Sequence, residues 1–176
     1  TFNDMIDKLE EKGFKVNFLT IHKLLNYQND FDIEGERVFI KGDKATIDSY
    51  NLVIVDECSM IPFQIIVNLV EEANKKNSTT IPKVLFIGDP AQLPPVNEII
   101  SSIFAKSKED LDFNLYKKAY LTERKGEMTF DKNLDEFMKK KFDAFADQVV
   151  QMKYVVLKEV MRSNSNEVVG LCNEMR

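Results

Sequence analysis

Cysteine is scarce in this chain. Cys58 and Cys172 are the only two in 176 residues, and neither has Cys or His partners at metal-ligand spacing. That scarcity argues against a disulfide scaffold or a structural zinc site and favours two reduced thiols in a cytosolic protein. Histidine is scarcer still: His22 stands alone, with no second metal ligand near it. Long apolar runs are missing too. Stretches such as Leu52–Val55 and Val84–Ile87 fall far short of the roughly 20 residues a membrane helix needs. The opening Thr1-Phe2-Asn3-Asp4 has no basic n-region, no apolar h-region and no initiator Met. No secretory signal is visible there, and the sequence is expected to be part of something longer. There is no basic excess, since the net charge is -5. This argues against coating of nucleic acid by bulk charge, though not against a local basic path. No internal repeat or low-complexity tract occurs.

What is present suits a globular core: 44% of residues are hydrophobic and 30% charged, enough for one ordinary domain or one carrying a small insertion. Residues 1–12 predict a helix capped by Thr1 or Asn3, with Met5, Ile6 and Leu9 on one face and Gly13 as its stop. Phe14–Leu19 alternates like a strand, and Thr20 or His22 starts a short helical turn ending near Tyr27. From 31 to 47 the pattern changes to hairpin chemistry, with pieces at Arg37–Lys41 and Ala45–Ile47 broken by Gly35 and Gly42-Asp43. Leu52–Val55 and Val84–Ile87 read as strands. The helix between them starts near Pro62 and runs through Glu72. Continuous apolar strands separated by helices predict a parallel sheet covered on both faces. Between 105 and 150, Phe137, Phe142 and Phe145 recur at near-helical spacing among charges, as in an amphipathic helical insertion packed on the sheet. Val155–Leu157 reads as a last strand, and Asn164 or Ser165 caps a terminal helix through Met175.

In parallel sheets a ligand sits beyond the carboxyl ends of the strands, where Asp56-Glu57 and Gly88-Asp89 both fall. Paired acids there suit nucleotide hydrolysis. Asp56 can hold the hydration shell of Mg²⁺, which prefers oxygen ligands and keeps several waters. Glu57 can accept the proton of an attacking water. A strand followed by an acid-rich first helical turn would look the same, so this pair alone decides little. The second loop adds specificity. Gly88 lets the backbone approach a ligand, Gln92 offers a neutral donor and acceptor for a terminal phosphate, and Pro94-Pro95 stiffen the exit.

These segments resemble superfamily 1 helicases of the 5′-to-3′ branch, the Dda- and RecD-like group. Val55-Asp56-Glu57-Cys58-Ser59-Met60 is similar to motif II and Gly88–Val96 to motif III. Thr20-Ile21-His22-Lys23-Leu24-Leu25 resembles motif Ib, Leu157–Asn164 resembles motif IV, and Thr1 would be the Thr of motif Ia. The resemblance implies an α/β, RecA-like fold of the P-loop NTPase type, with a parallel sheet flanked by helices, a hairpin insertion at 31–47 and a helical insertion at 105–150. Residues 1–176 would be the first RecA-like domain, incomplete at its N-terminal end. It implies ATP and Mg²⁺ as cofactors, and single-stranded and fork DNA and a second RecA-like domain as partners. It implies a role for Asp56 toward Mg²⁺, for Glu57 as base, for Gln92 on the γ-phosphate and for Arg162 on the transferred phosphoryl. Gly88 and Asp89 would face nucleotide; Thr1, Thr20, His22, Phe39, Pro94 and Pro95 would face nucleic acid, Phe39 as an aromatic pin on the hairpin. For His22 a plain packing role stays equally open, and for Phe39 a place in the core.

Leu121-Thr122-Glu123-Arg124 also looks like motif IV, but it lacks a strand before it and a capped helix after it. The chain departs from the family pattern in that it contains no Gly-x-x-x-x-Gly-Lys-Thr/Ser, the loop that cradles phosphates, and in that the second RecA-like domain, with motifs V and VI, is absent from these residues. An RNA helicase, a non-unwinding P-loop ATPase and a catalytically dead interaction module are the competing functions. The expected compartment is the cytoplasm, or the host cell for a viral protein, without a membrane partner.

Overall fold

The computed structural model describes residues 2–31, 37–42, 45–75, 81–123 and 132–157. The chain forms two compact units, the first from Thr1–Val53 and Glu72–Val84, the second from Ile54–Glu71 and Leu85–Arg176. It is a mixed α/β structure with a small parallel sheet and helices.

In the first unit, α1 spans Phe2–Glu11. Gly13 ends it at φ +82, a conformation that costs glycine little. Phe14 N–H then folds back onto Leu9 O at 3.0 Å. The expected strand at 14–19 does not form. This segment lies outside both sheets, with Phe14 61% and Phe18 63% exposed. Alternation gives a strand its faces, but only a neighbouring ladder makes it a strand. Thr20 caps α2 (Ile21–Leu24), its Oγ1 accepting from Lys23 N–H at 3.2 Å. Leu24 and Leu25 are buried beside Ala45 and Ile47, and Thr46 N–H donates to Leu24 O at 3.0 Å. Asn26 turns the chain at φ 57.

The hairpin exists, but with a different partner. β1 (Tyr27–Phe31) pairs antiparallel with β2 (Arg37–Lys41), Tyr27 opposite Lys41 and Phe31 opposite Arg37. Ala45–Ile47 is not a strand; a 3-10 turn starts at Ile47, because Ala45 and Ile47 are used as core residues. Val38, Phe39 and Ile40 are the apolar residues of β2, opposite Asp30, Asn29 and Gln28.

β3 (Leu52–Val55) and β4 (Lys83–Phe86) form the other sheet. Lys83 N–H bonds Asn51 O at 2.9 Å and Ile87 N–H bonds Val55 O at 2.8 Å, so the strands run parallel. Double-sided cover was expected and is not found among the described residues. Val53 and Val55 are buried, whereas Ile54 is 57% and Leu85 49% exposed. Side chains alternate between faces, so Val53 and Val55 share the buried face and Ile54 lies on the exposed one. The last expected strand is absent as well: residues 152–157 lie outside both sheets, with Val155 86% and Leu157 88% exposed. The segment resembling motif IV beyond Leu157, its helix, and Cys172 lie outside the described residues.

In the second unit, which takes α3 (Phe63–Ala73) as far as Glu71, that helix buries Phe63, Ile65, Ile66, Val67, Leu69 and Val70. The 105–150 stretch supplies α4 (Phe113–Glu123) and α5 (Lys132–Val150). They pack on α3: Phe145 meets Phe63 edge-on at 5.8 Å, and Tyr116 lies 5.3 Å from Phe145 and 5.5 Å from Phe142. Such aromatic pairs add about 0.5–1.5 kcal/mol each beyond their burial. Glu71 ties the three helices, accepting from Tyr116 Oη at 3.0 Å and from Lys141 Nζ at 3.2 Å. Phe137, by contrast, is 42% exposed under Lys141. No helix among the described residues is long and apolar enough to cross a membrane.

Candidate functional site

The site is built on the carboxyl ends of β3 and β4. The apolar strand β3, buried on one face through Val53 and Val55, places Asp56 and Glu57 at its exit, and both are exposed. Glu57 N–H donates to Asp56 Oδ1 at 3.0 Å, which leaves the Asp56 carboxylate most of its acceptor capacity. Glu57 itself adopts φ 52 and ψ 43, the left-handed region, and a 3-10 turn follows over Cys58–Met60. For a side chain of this kind that backbone costs about 1–3 kcal/mol, and such strain gathers at functional sites. Ser59 adds to it: its Oγ is buried and makes no hydrogen bond among the described residues.

The β4 loop runs alongside. Ala91 N–H bonds Asp89 Oδ1 at 3.0 Å and Gln92 N–H bonds Asp89 O at 3.0 Å, so Asp89 shapes the turn that carries Gln92. Gln92 and Pro94 are exposed and Pro95 is buried. The two loops are joined at their roots, where Cys58 N–H donates to Ile87 O at 3.0 Å. A Cβ on Gly88 would stand 2.6 Å from Cys58 Sγ and 3.0 Å from Cys58 N. The glycine is therefore required by the packing of one loop on the other. Burial, with smaller contributions from the Asp56 and Glu57 charges, pushes the Cys58 thiol up against a weaker opposing backbone hydrogen bond. Cys58, 1% exposed, packs at the junction of the two loops.

Asp56, Glu57, Gly88, Asp89 and Gln92 accordingly share one set of joined loops. Thr20 and His22 belong to the first unit. There the Thr20 hydroxyl is the α2 cap, and His22 packs edge-on against Tyr27 at 5.7 Å. Phe39 pairs with Asn29 in the hairpin. Thr1, Arg162 and the alternative Arg124 lie outside the described residues.

Two residues escaped sequence reasoning. Glu98 Oε1 accepts from Phe63 N–H at 2.8 Å, and Ser101 Oγ donates to Ile61 O at 3.2 Å. A signal for the first existed. Ile61-Pro62 offers α3 no side-chain cap, so the amide of Phe63 needed an acceptor from elsewhere.

No group of three or more His, Cys, Asp or Glu side chains able to hold a metal occurs among the described residues. Mg²⁺ does not require one, because it commonly uses one or two carboxylates plus water and substrate phosphates. The exposed Asp56 and Glu57 carboxylates fit that donor set.

The chain is similar to an uncharacterized protein of Acanthamoeba polyphaga mimivirus, 29% identical over 166 residues, which covers 92% of this chain and 25% of that protein. It is also similar to the RecBCD enzyme subunit RecD of Buchnera aphidicola subsp. Schizaphis graminum (strain Sg), 34% identical over 95 residues, covering 53% of this chain and 14% of the subunit. It thus spans a quarter or less of the length of these relatives. No solved structure matches it significantly. The sequence profile of the AAA domain family matches residues 3–98, a span that takes in more than half of the chain and both acid-bearing loops, and the chain belongs to that family.

Proposed function

We propose that this chain is part of the motor of an ATP-dependent DNA helicase, RecA-like in fold, which couples ATP hydrolysis to translocation on single strands and to duplex unwinding. The observation that carries the reading is the joining of the Asp56-Glu57 turn to the Gly88–Gln92 loop at the ends of two parallel strands, through Cys58 N–H to Ile87 O. Membership of the AAA domain family and the partial similarity to a RecD subunit support it.

Bound ATP with Mg²⁺ supplies the phosphoryl group whose hydrolysis releases the free energy. Asp56 would hold the hydration shell of Mg²⁺, which would supply positive charge beside the terminal phosphates. Glu57, presented by its left-handed backbone, takes the proton of the attacking water. Gln92 offers an amide toward the terminal phosphate, and Arg162 supplies a permanent, forked positive charge for the transferred phosphoryl. In the whole protein we assign residues 1–176 to the first RecA-like domain, facing a second one. We assign Thr1, Thr20, His22 and Pro94 to the DNA path, with the buried Pro95 stiffening the loop behind Pro94, and Phe39, on the hairpin within 31–47, to stacking at the fork.

In the full-length protein, Glu57→Gln is expected to cut hydrolysis by about 10²- to 10⁴-fold while nucleotide binding stays largely intact. Steady-state ATPase assays with single-stranded DNA, beside a nucleotide-binding titration, test this. Equal loss of affinity and turnover would make Glu57 structural.

A further inference from the structure

We infer that Glu98 and Ser101 are positioning residues that lock the Asp56-Glu57 turn and the Gln92 loop into one piece, an inference that rests on the function proposed above. After Gln92 the chain does not leave the site. Pro95 is buried, Glu98 N–H bonds Pro95 O at 3.1 Å, and Asn97 turns at φ 65 between them. This tight turn carries Glu98 back to the start of α3.

There the Glu98 carboxylate accepts the Phe63 amide at 2.8 Å. A carboxylate at a helix N-terminus is also favoured by the helix dipole. Three residues on, Ser101, only 1% exposed, reaches Ile61 O at 3.2 Å. Both bonds join the far end of the Gln92 loop to the far end of the Asp56–Met60 turn. The near ends are already joined by Cys58 N–H to Ile87 O and by Gly88 against Cys58. The reacting side chains therefore hang between two staples. A displacement of Gln92, the residue facing the terminal phosphate, is transmitted to Glu57 instead of being absorbed. Misplacing a catalytic group by about 1 Å costs on the order of 10²-fold in rate, so the second staple has a measurable kinetic consequence.

The test compares Glu98→Ala, Glu98→Gln and Ser101→Ala in the full-length protein, with Glu57→Gln beside them. Single-strand-stimulated ATPase, nucleotide affinity and thermal melting are measured on each. Glu98→Ala is expected to lower kcat on the order of tenfold, measured well below its melting temperature, with KM for ATP nearly unchanged. Glu98→Gln keeps an oxygen for the Phe63 amide and restores most of kcat. Ser101→Ala lowers kcat in the same direction and serves if Glu98→Ala does not fold.

A plain helix cap would lower the melting temperature and leave kcat intact. That result, or an intact kcat in Ser101→Ala, overturns the inference, while loss of turnover in Glu57→Gln still supports the proposed function. Normal turnover in Glu57→Gln removes the proposed function and this inference with it.

Discussion

Gly88→Ala probes how tightly the two acid-bearing loops are joined. The added methyl would stand 2.6 Å from Cys58 Sγ, 3.0 Å from Cys58 N and 3.1 Å from Ser59 N. None of these atoms has room to give way. Cys58 is 1% exposed, and its amide is committed to Ile87 O at 3.0 Å. Forcing an extra methyl into a packed site costs typically about 1–3 kcal/mol, and two backbone contacts place this site toward the upper end. For a chain of this size that lowers Tm by roughly 4–12 °C. Removing Sγ with Cys58→Ala relieves the shortest contact but leaves the two backbone ones. The double variant should therefore recover about 1 kcal/mol relative to additivity. Urea denaturation and thermal melts of the four proteins give the cycle. A Gly88→Ala loss below about 0.5 kcal/mol, or strict additivity with Cys58→Ala, would refute the packing argument.

Two further outcomes follow from the same loops. Glu57→Gly removes the carboxylate proposed as the base, yet it relieves the left-handed backbone at φ 52. Stability should hold or rise by up to about 1 kcal/mol in chemical denaturation, and a clear loss would mean the Glu57 side chain supports the fold. Burial pushes the Glu98 carboxyl above the usual carboxylate range against the weaker pull of the Phe63 amide. A carboxyl raised by folding contributes its stability fully below the unfolded value and loses it as pH rises through the folded value. Stability should accordingly decline across that mildly acidic window. Glu98→Gln should flatten the decline in pH-dependent melts, and an unchanged slope would contradict the assignment.

Much of the candidate site was legible in the sequence because it follows from local pattern. The apolar runs at Leu52–Val55 and Val84–Ile87 overlap the paired strands β3 and β4. Pro62 opens a helix, and the acids after Val55 and Ile87 sit at strand exits by chain order alone. Thr20 as a cap and Gly13 as a stop are equally local, since each acts on amides or carbonyls a few residues away.

Only the tertiary structure decided what depends on distant partners. The sequence offered Arg37–Lys41 only Ala45–Ile47 as a neighbour for its ladder, yet it pairs with Tyr27–Phe31, while Ala45 and Ile47 are buried in the core. Alternation in Phe14–Leu19 and the apolar run at Val155–Leu157 do not yield strands, because a strand is a property of a pair. Gly88 against Cys58, and Glu98 on the amide of Phe63 35 residues away, are set by how two loops close on each other. Sequence periodicity carries the direction of a side chain relative to its own backbone. It holds nothing about which remote amide will be left needing an acceptor, and packing alone answers that.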